Sequence, residues 1–322
     1  MQHTPASFAS RLARPDFDIV SAYPEAAWLR QVAAVRDWAT VRGYVDGLPQ
    51  GTNRSFVVSV LAEVRGSEEW MRQILATAPD DVLALTVLGA REVKIGWEIR
   101  TAASAKHVSR KQFEGLHAHL RLAEQALIRA TALDPAFDAA WAERLTTAMG
   151  LQLGQSEARR RYDRLSAVHP HHITGQARLL QQLCPKWSGS WEAAHAFARE
   201  CMTNAPEGSL SGGMVAEVHM EHWVSLKARE RQEYLRRPEV RAELVEAAER
   251  STLSPHFRPD YQWVTVQGYF AAMFSLLGDH PRAAACFRSL NNLASEYPWV
   301  ELDGVNAADS YIKHRNAALA KG

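Results

Sequence analysis

The stretch ARRRYDRLSAVHP, Ala158 to Pro170, decides how the chain folds. It holds a small residue, a bulky one four positions on, an aliphatic one three further, and a closing proline. Side chains three and four apart share a helix face, and proline cannot continue a helix, so the stretch reads as one short helix with its packing face and its end. The same arrangement recurs ahead of Pro79, Pro135 and Pro206. Twelve residues before each proline stand Ser67, Ala123, Ala158 and Ala194; eight before, Met71, Leu127, Tyr162 and Ala198; five before, Ile74, Ala130, Leu165 and Cys201. Pro135, Pro170 and Pro206 follow at intervals of 35 and 36 residues, the length of a helix pair. The interval of 56 between Pro79 and Pro135 leaves room for an insertion of about twenty residues in a repeat of about 34.

Working outward, helical periodicity predicts helices over Ser55 to Val64, Glu68 to Ala78, Val82 to Arg100, Gln112 to Leu133, Ala139 to Leu153, Glu157 to Val168 and Ile173 to Leu183. It continues over Trp191 to Thr203, Met214 to Tyr234, Glu239 to Ser251, Tyr261 to Leu277, Arg282 to Ser295 and Ala307 to Ala320. No comparable run of alternating β-branched residues stands between turns, so little or no sheet is expected. A single helix pair cannot bury its apolar face alone, whereas stacked pairs build a continuous core. The expectation is an all-α chain with an N-terminal extension over residues 1–22 and one helical-repeat domain over 23–322. Its best register covers 112–206, and a polar last helix at about 307–321 caps the C-terminal end, with Tyr311 and Ile312 facing inward.

The proline-aligned columns resemble the second helix of the tetratricopeptide repeat, in degenerate form. Trp141, six residues after Pro135, stands where that family carries a large residue in the following first helix. Leu277-Gly278-Asp279-His280, with Ala284 and Phe287, is similar to its inter-helix turn and second helix. Leu145 and Ala148 depart from the family's small residue and aromatic. The resemblance implies a right-handed superhelix of antiparallel helix pairs, an α-solenoid, whose first helices line a concave groove for a protein or peptide partner. By position that groove would hold Ala142, Thr146, Met149, Ala177 and Gln181. The segment Leu183 to Ser190, LCPKWSGS, also resembles the P-K-W-G-G-S signature of a bacterial family of unknown function with tetratricopeptide-like helices. That second likeness supplies no activity.

Charge and composition narrow the function. Thirty-seven basic against thirty-six acidic side chains leave a net charge of +1, which argues against a nucleic-acid footprint spread over the surface. No apolar run reaches the roughly 18–20 residues that cross a bilayer, and Met1 to Arg14 lacks the apolar core of a secretory signal. Cys184, Cys201 and Cys286 are odd in number and far apart, as expected of buried thiols rather than a disulfide framework. A cytoplasmic location is expected.

The leading functional reading is a protein- or peptide-binding scaffold. The alternative is an enzyme, or a small-molecule or metal-binding protein, with a polar centre near Lys186 and the His219/Glu221/His222 helix. In the turn after Leu183, Pro185 ends a helix, Gly189 permits unusual backbone angles and Ser190 caps the next helix, while Lys186 offers an anion contact and Trp187 or Trp191 an aromatic platform. His219 and His222, at i and i+3, share a helix face and with Glu221 are the candidate metal ligands, but the spacing is not H-E-x-x-H and Glu221 at i+2 points elsewhere, so a polar helix face without a metal is the expectation. His169, His171 and His172 crowd a repeat junction, His117 and His119 diverge around a helix, and Arg159, Arg160, Arg161 and Arg164 read as a solvated face. Most of the ten tryptophans read as core. No phosphate loop, nucleophile elbow or paired-cysteine motif is present, so the motifs name no catalytic residue and leave enzymatic activity open, and no cofactor is expected.

Overall fold

The computed structural model describes residues 14–48, 53–101 and 107–322. Of the N-terminal polar stretch, only Arg14 lies among them. The protein is all-α. Its helices are α1 (Ile19–Ala22), α2 (Pro24–Ala34), α3 (Trp38–Asp46), α4 (Ser55–Glu63), α5 (Ser67–Thr77), α6 (Val82–Arg100), α7 (Arg110–Leu133), α8 (Asp138–Gly150), α9 (Gln155–Val168) and α10 (Ile173–Leu183). They continue as α11 (Trp191–Asn204), α12 (Gly213–Ser225), α13 (Ala228–Leu235), α14 (Pro238–Arg250), α15 (Trp263–Leu276), α16 (His280–Leu290) and α17 (Ala307–Lys321). No strand forms among the described residues; extended backbone pairs only in an isolated parallel bridge between Asp16 and Leu293.

Two compact units emerge. One runs from Tyr23 to Gly189, and the other joins Ser190–Gly322 to the residues up to Ala22, which the Asp16 bridge ties to the C-terminal part of the chain. In the first unit α2, α4, α6, α8 and α10 touch in succession, while α5, α7 and α9 each pack between chain neighbours. That inner row explains why α8 is buried at every position except Glu143. The repeat columns are its packing surface: Ser67, Ala123, Ala158, Met71, Leu127, Tyr162, Ala130 and Leu165 are all buried, and Ile74 is half-buried. The long interval between Pro79 and Pro135 holds two long helices, α6 and α7, and the segment joining them.

Inside this unit lies a buried ion cluster that no local pattern announces. Glu124 of α7 accepts hydrogen bonds from Arg144 Nη2 of α8 (2.9 Å) and Arg161 Nη2 of α9 (2.8 Å), and from the Thr147 hydroxyl. Arg161 also donates to Glu157 (2.7 Å) and to the Arg144 carbonyl (2.5 Å). Arg161 therefore leaves the solvated face expected of the arginine run and is 2% exposed. Its neighbours Arg159 and Arg160 do stay outside, paired with Asp163 and Glu157.

In the second unit α12 and α15 form the centre, α11 and α14 pack on α12, and α16 and α17 pack on α15. Trp299 and Tyr311, both fully buried, meet edge to face at 5.1 Å, with Phe287 on both rings. One expected helix, Met214 to Tyr234, is two: Leu226 is extended, and α13 begins after it. Arg231 folds back over Trp223 and donates to the carbonyls of Trp223, Val224 and Leu226, so the free carbonyls at the end of α12 find a side-chain partner. Three helices ahead of Ser55, α1 to α3, extend the helical region beyond the segments that periodicity predicts.

Replacing Glu124 with Gln keeps shape but leaves two buried guanidinium groups short of their shared carboxylate. Chemical denaturation should show a loss of about 3–5 kcal/mol, and stability within about 0.5 kcal/mol of the parent would contradict this role for the cluster.

Candidate functional site

In the first unit the end of α6, the start of α7, the end of α8 and the turn after α10 enclose a cavity of about 680 Å³. This is within the range of small-molecule sites, about 300–1,000 Å³. Trp97, Phe113 and Trp187 supply aromatic surface, and Arg100, Lys186 and His117 supply basic groups; no carboxylate occurs among its described lining residues. The Trp97 and Trp187 rings stand edge to face at 6.4 Å, and the Arg100 guanidinium lies over both Trp97 (5.4 Å) and Phe113 (5.9 Å). Gln182 lines the same cavity, is 5% exposed, and its Oε1 has no hydrogen-bond partner among the described residues. An unmet buried acceptor costs about 1–3 kcal/mol.

The turn that brings Lys186 and Trp187 to this wall is built tightly. Pro185–Trp187 form one 3-10 turn, closed by Trp187 N–H donating to the Cys184 carbonyl (2.9 Å). Ser190 accepts from Ala193 N–H and caps α11, as its sequence position suggests. The left-handed residue is Ser188 (φ 70°) rather than Gly189. Gly189 is required for a different reason: a Cβ there would stand 1.9 Å from the Leu183 carbonyl oxygen.

Of the groove residues, Met149 lines the cavity with Lys186 and Trp187. Ala142 and Thr146 are buried within α8 (1% and 4% exposed), because α8 belongs to the inner row and offers them no open face. Ala177 and Gln181 are half-buried on α10 and lie outside this cavity's wall. His117 faces the cavity, whereas His119 Nδ1 pairs with Glu92 (2.6 Å), so the two diverge as their spacing requires.

His219 and His222 are brought together in the second unit, and Glu221 is not with them. Its Oε1 accepts from the Tyr297 hydroxyl (2.9 Å) because position i+2 points around α12. In its place stand His195 from α11, Tyr234 from α13 and Glu243 from α14, none of which any sequence spacing singles out. His219 Nδ1 is 2.6 Å from Tyr234 Oη and its Nε2 is 3.0 Å from Glu243 Oε2, while His195 Nε2 is 3.0 Å from His222 Nδ1. Trp191 stacks flat on His222, ring centres 4.4 Å apart. Burial and then the neighbouring histidines push His195 down to about 3 and His222 to about 4, so both rings are neutral at neutral pH. The hydrogen bond from His219 holds Glu243 below the usual carboxylate range against its partial burial.

A third cluster sits in the first unit, where His169 Nδ1 donates to buried Asp138 (3.1 Å) and Ser55 Oγ is 3.3 Å from His172 Nε2. These residue types suggest a nucleophilic triad, but the geometry forbids it. His172 Nδ1 accepts the Gly175 N–H (3.1 Å), which puts the ring proton on Nε2, facing Ser55. Such a ring cannot take a proton from the serine. His172 is a helix cap, and Asp138 accepts the Ala139 N–H at the start of α8.

Two outcomes follow from these contacts. Burial pushes His172 down to about 4 from its ordinary 6.5, so between those values the unfolded chain binds a proton that the folded one does not. Stability should fall as pH drops through that window, at up to about 1.4 kcal/mol per unit, and His172→Asn, which keeps a capping side chain, should flatten the slope by about one proton. Denaturation midpoints measured across the window check this; an unchanged slope refutes it. Gly189→Ala should cost about 3 kcal/mol through the clash with Leu183, read in the same assay, with a neutral effect counting against the tight turn. A scan against family models, a search of curated proteins and a search of solved structures each found no match, so the chain's own geometry carries the functional reading.

Proposed function

We propose that this protein is a binding protein of tetratricopeptide-like build, whose first unit takes a compact anionic ligand with a flat apolar or aromatic body. The observation that carries the reading is the composition of the 680 Å³ cavity: three aromatic rings, Arg100 and Lys186, and a buried unpartnered Gln182 acceptor. Flat rings pack well between Trp97, Phe113 and Trp187, and the two cations favour a carboxylate or phosphate beside them. Gln182 selects for a ligand that also carries a hydrogen-bond donor.

The contacts along α2, α4, α6, α8 and α10 support a right-handed superhelix of antiparallel pairs for the first unit, with the flanking helices as second members. In that frame the scaffold reading covers a peptide that presents a carboxylate next to an aromatic side chain. The burial of Cys184, Cys201 and Cys286 agrees with a reducing, cytoplasmic setting.

Titration of aryl carboxylates bearing a hydroxyl or amino group, followed by tryptophan fluorescence, tests the site. Saturable binding is expected, weakened at least about tenfold by Lys186→Met and by Trp187→Ala, with aryl-ammonium analogues failing to bind. Equal binding of carboxylates and ammonium compounds, or affinity unchanged in both variants, would overturn the proposal.

A further inference from the structure

In the second unit, the geometry points to a metal site: His195, His219 and Glu243 together bind one divalent cation of the zinc class. Each residue offers one ligand atom, and the three atoms lie within 4.8 Å of one another. A tetrahedral cation with nitrogen and oxygen bonds of about 2.0–2.2 Å sets its donors about 3.3–3.5 Å apart, so the trio is already within about 1.5 Å of that spacing. The donors come from α11, α12 and α14, three helices whose positions the packing on α12 fixes.

The surroundings suit a ligand set. Metal-bound imidazoles hold their other nitrogen on a second partner, which orients the ring. His219 meets this condition through Tyr234 Oη, whose hydroxyl can donate to Nδ1 or accept from it. With Nδ1 donating to Tyr234 Oη, the imidazole can turn a bare Nε2 toward a cation. Glu243 is oriented likewise: Oε1 faces Arg199 Nη1 at 3.3 Å, and Oε2 faces His219. His222, stacked flat against Trp191, meets His195 Nε2 at 3.0 Å and so helps fix that ring. Two imidazoles with one carboxylate favour zinc, cobalt or nickel over magnesium or calcium, which prefer all-oxygen shells. Three protein ligands leave a fourth position for water or a ligand atom, as in reactive rather than purely structural zinc sites.

The test uses the full chain, without an affinity tag and stripped by chelator. Cobalt(II) titration should give one bound equivalent with the visible absorption of a tetrahedral ion; zinc should displace it, and excess magnesium should not. Glu243→Gln, which preserves shape, and His195→Ala should each weaken cobalt binding about 10–100-fold. Lys186→Met, in the other unit, should leave it unchanged. Circular dichroism of the stripped variants shows whether each is folded, and should His195→Ala fail to fold, Glu243→Gln decides alone. No cobalt bound at one equivalent, an octahedral spectrum, or unchanged affinity in folded Glu243→Gln overturns the site.

Discussion

Two guanidinium groups in the interior of the first unit share one carboxylate, and that constraint fixes α7 and α9 against α8 of the inner row. Arg144 and Arg161 are both nearly sealed from solvent, and Glu124 is the group that meets both. Charges so placed are tolerated only when their geometry and hydrogen bonds are satisfied together, so α7, α8 and α9 are held to one mutual arrangement. Apolar columns alone allow helices to slide and repack with modest loss. The cavity at the ends of α6, α7 and α8 inherits this fixed register, and a site made from four separate elements needs it.

Much of the fold can be read from the chain because its signals are local. Val82–Arg100 and Ile173–Leu183 begin and end where periodicity and their flanking residues say, with Asp81 and His172 capping them. The small-bulky-aliphatic columns work because every helix that carries them uses them as its contact face. The break after Ser225 is different: the apolar pattern runs on through it, and the stop depends on Arg231 reaching back to three carbonyls. The helices before Ser55 carry real signals, Pro24 at a first turn and Asp37 bonding Thr40 N–H, but they are short and weakly periodic.

The sites were less legible for a stated physical reason. Lys186 and Trp187 stand in a distinctive turn, so their nomination needed only neighbouring residues. Their partners Trp97, Arg100 and Phe113 are about 73 to 90 residues upstream on helices that read as plain core. His219 and His222 could be found by spacing, and Glu221 came with them because it is adjacent in the chain. The carboxylate that reaches the imidazole is Glu243, twenty-four residues on. Spacing reports one helix face; convergence of three helices leaves no mark on spacing.

The interruption between α12 and α13 thereby acquires a meaning beyond helix termination. His219 and Tyr234 are fifteen residues apart. At about 1.5 Å of rise per residue, an unbroken helix would carry the phenol some 22 Å along the axis from the imidazole. The reversal at Leu226 instead returns it to within 2.6 Å. Arg231, which touches neither ring by a hydrogen bond, is thus the hinge pin of the histidine cluster: the place of Tyr234 against His219 depends on a cation that ties off the helix before it.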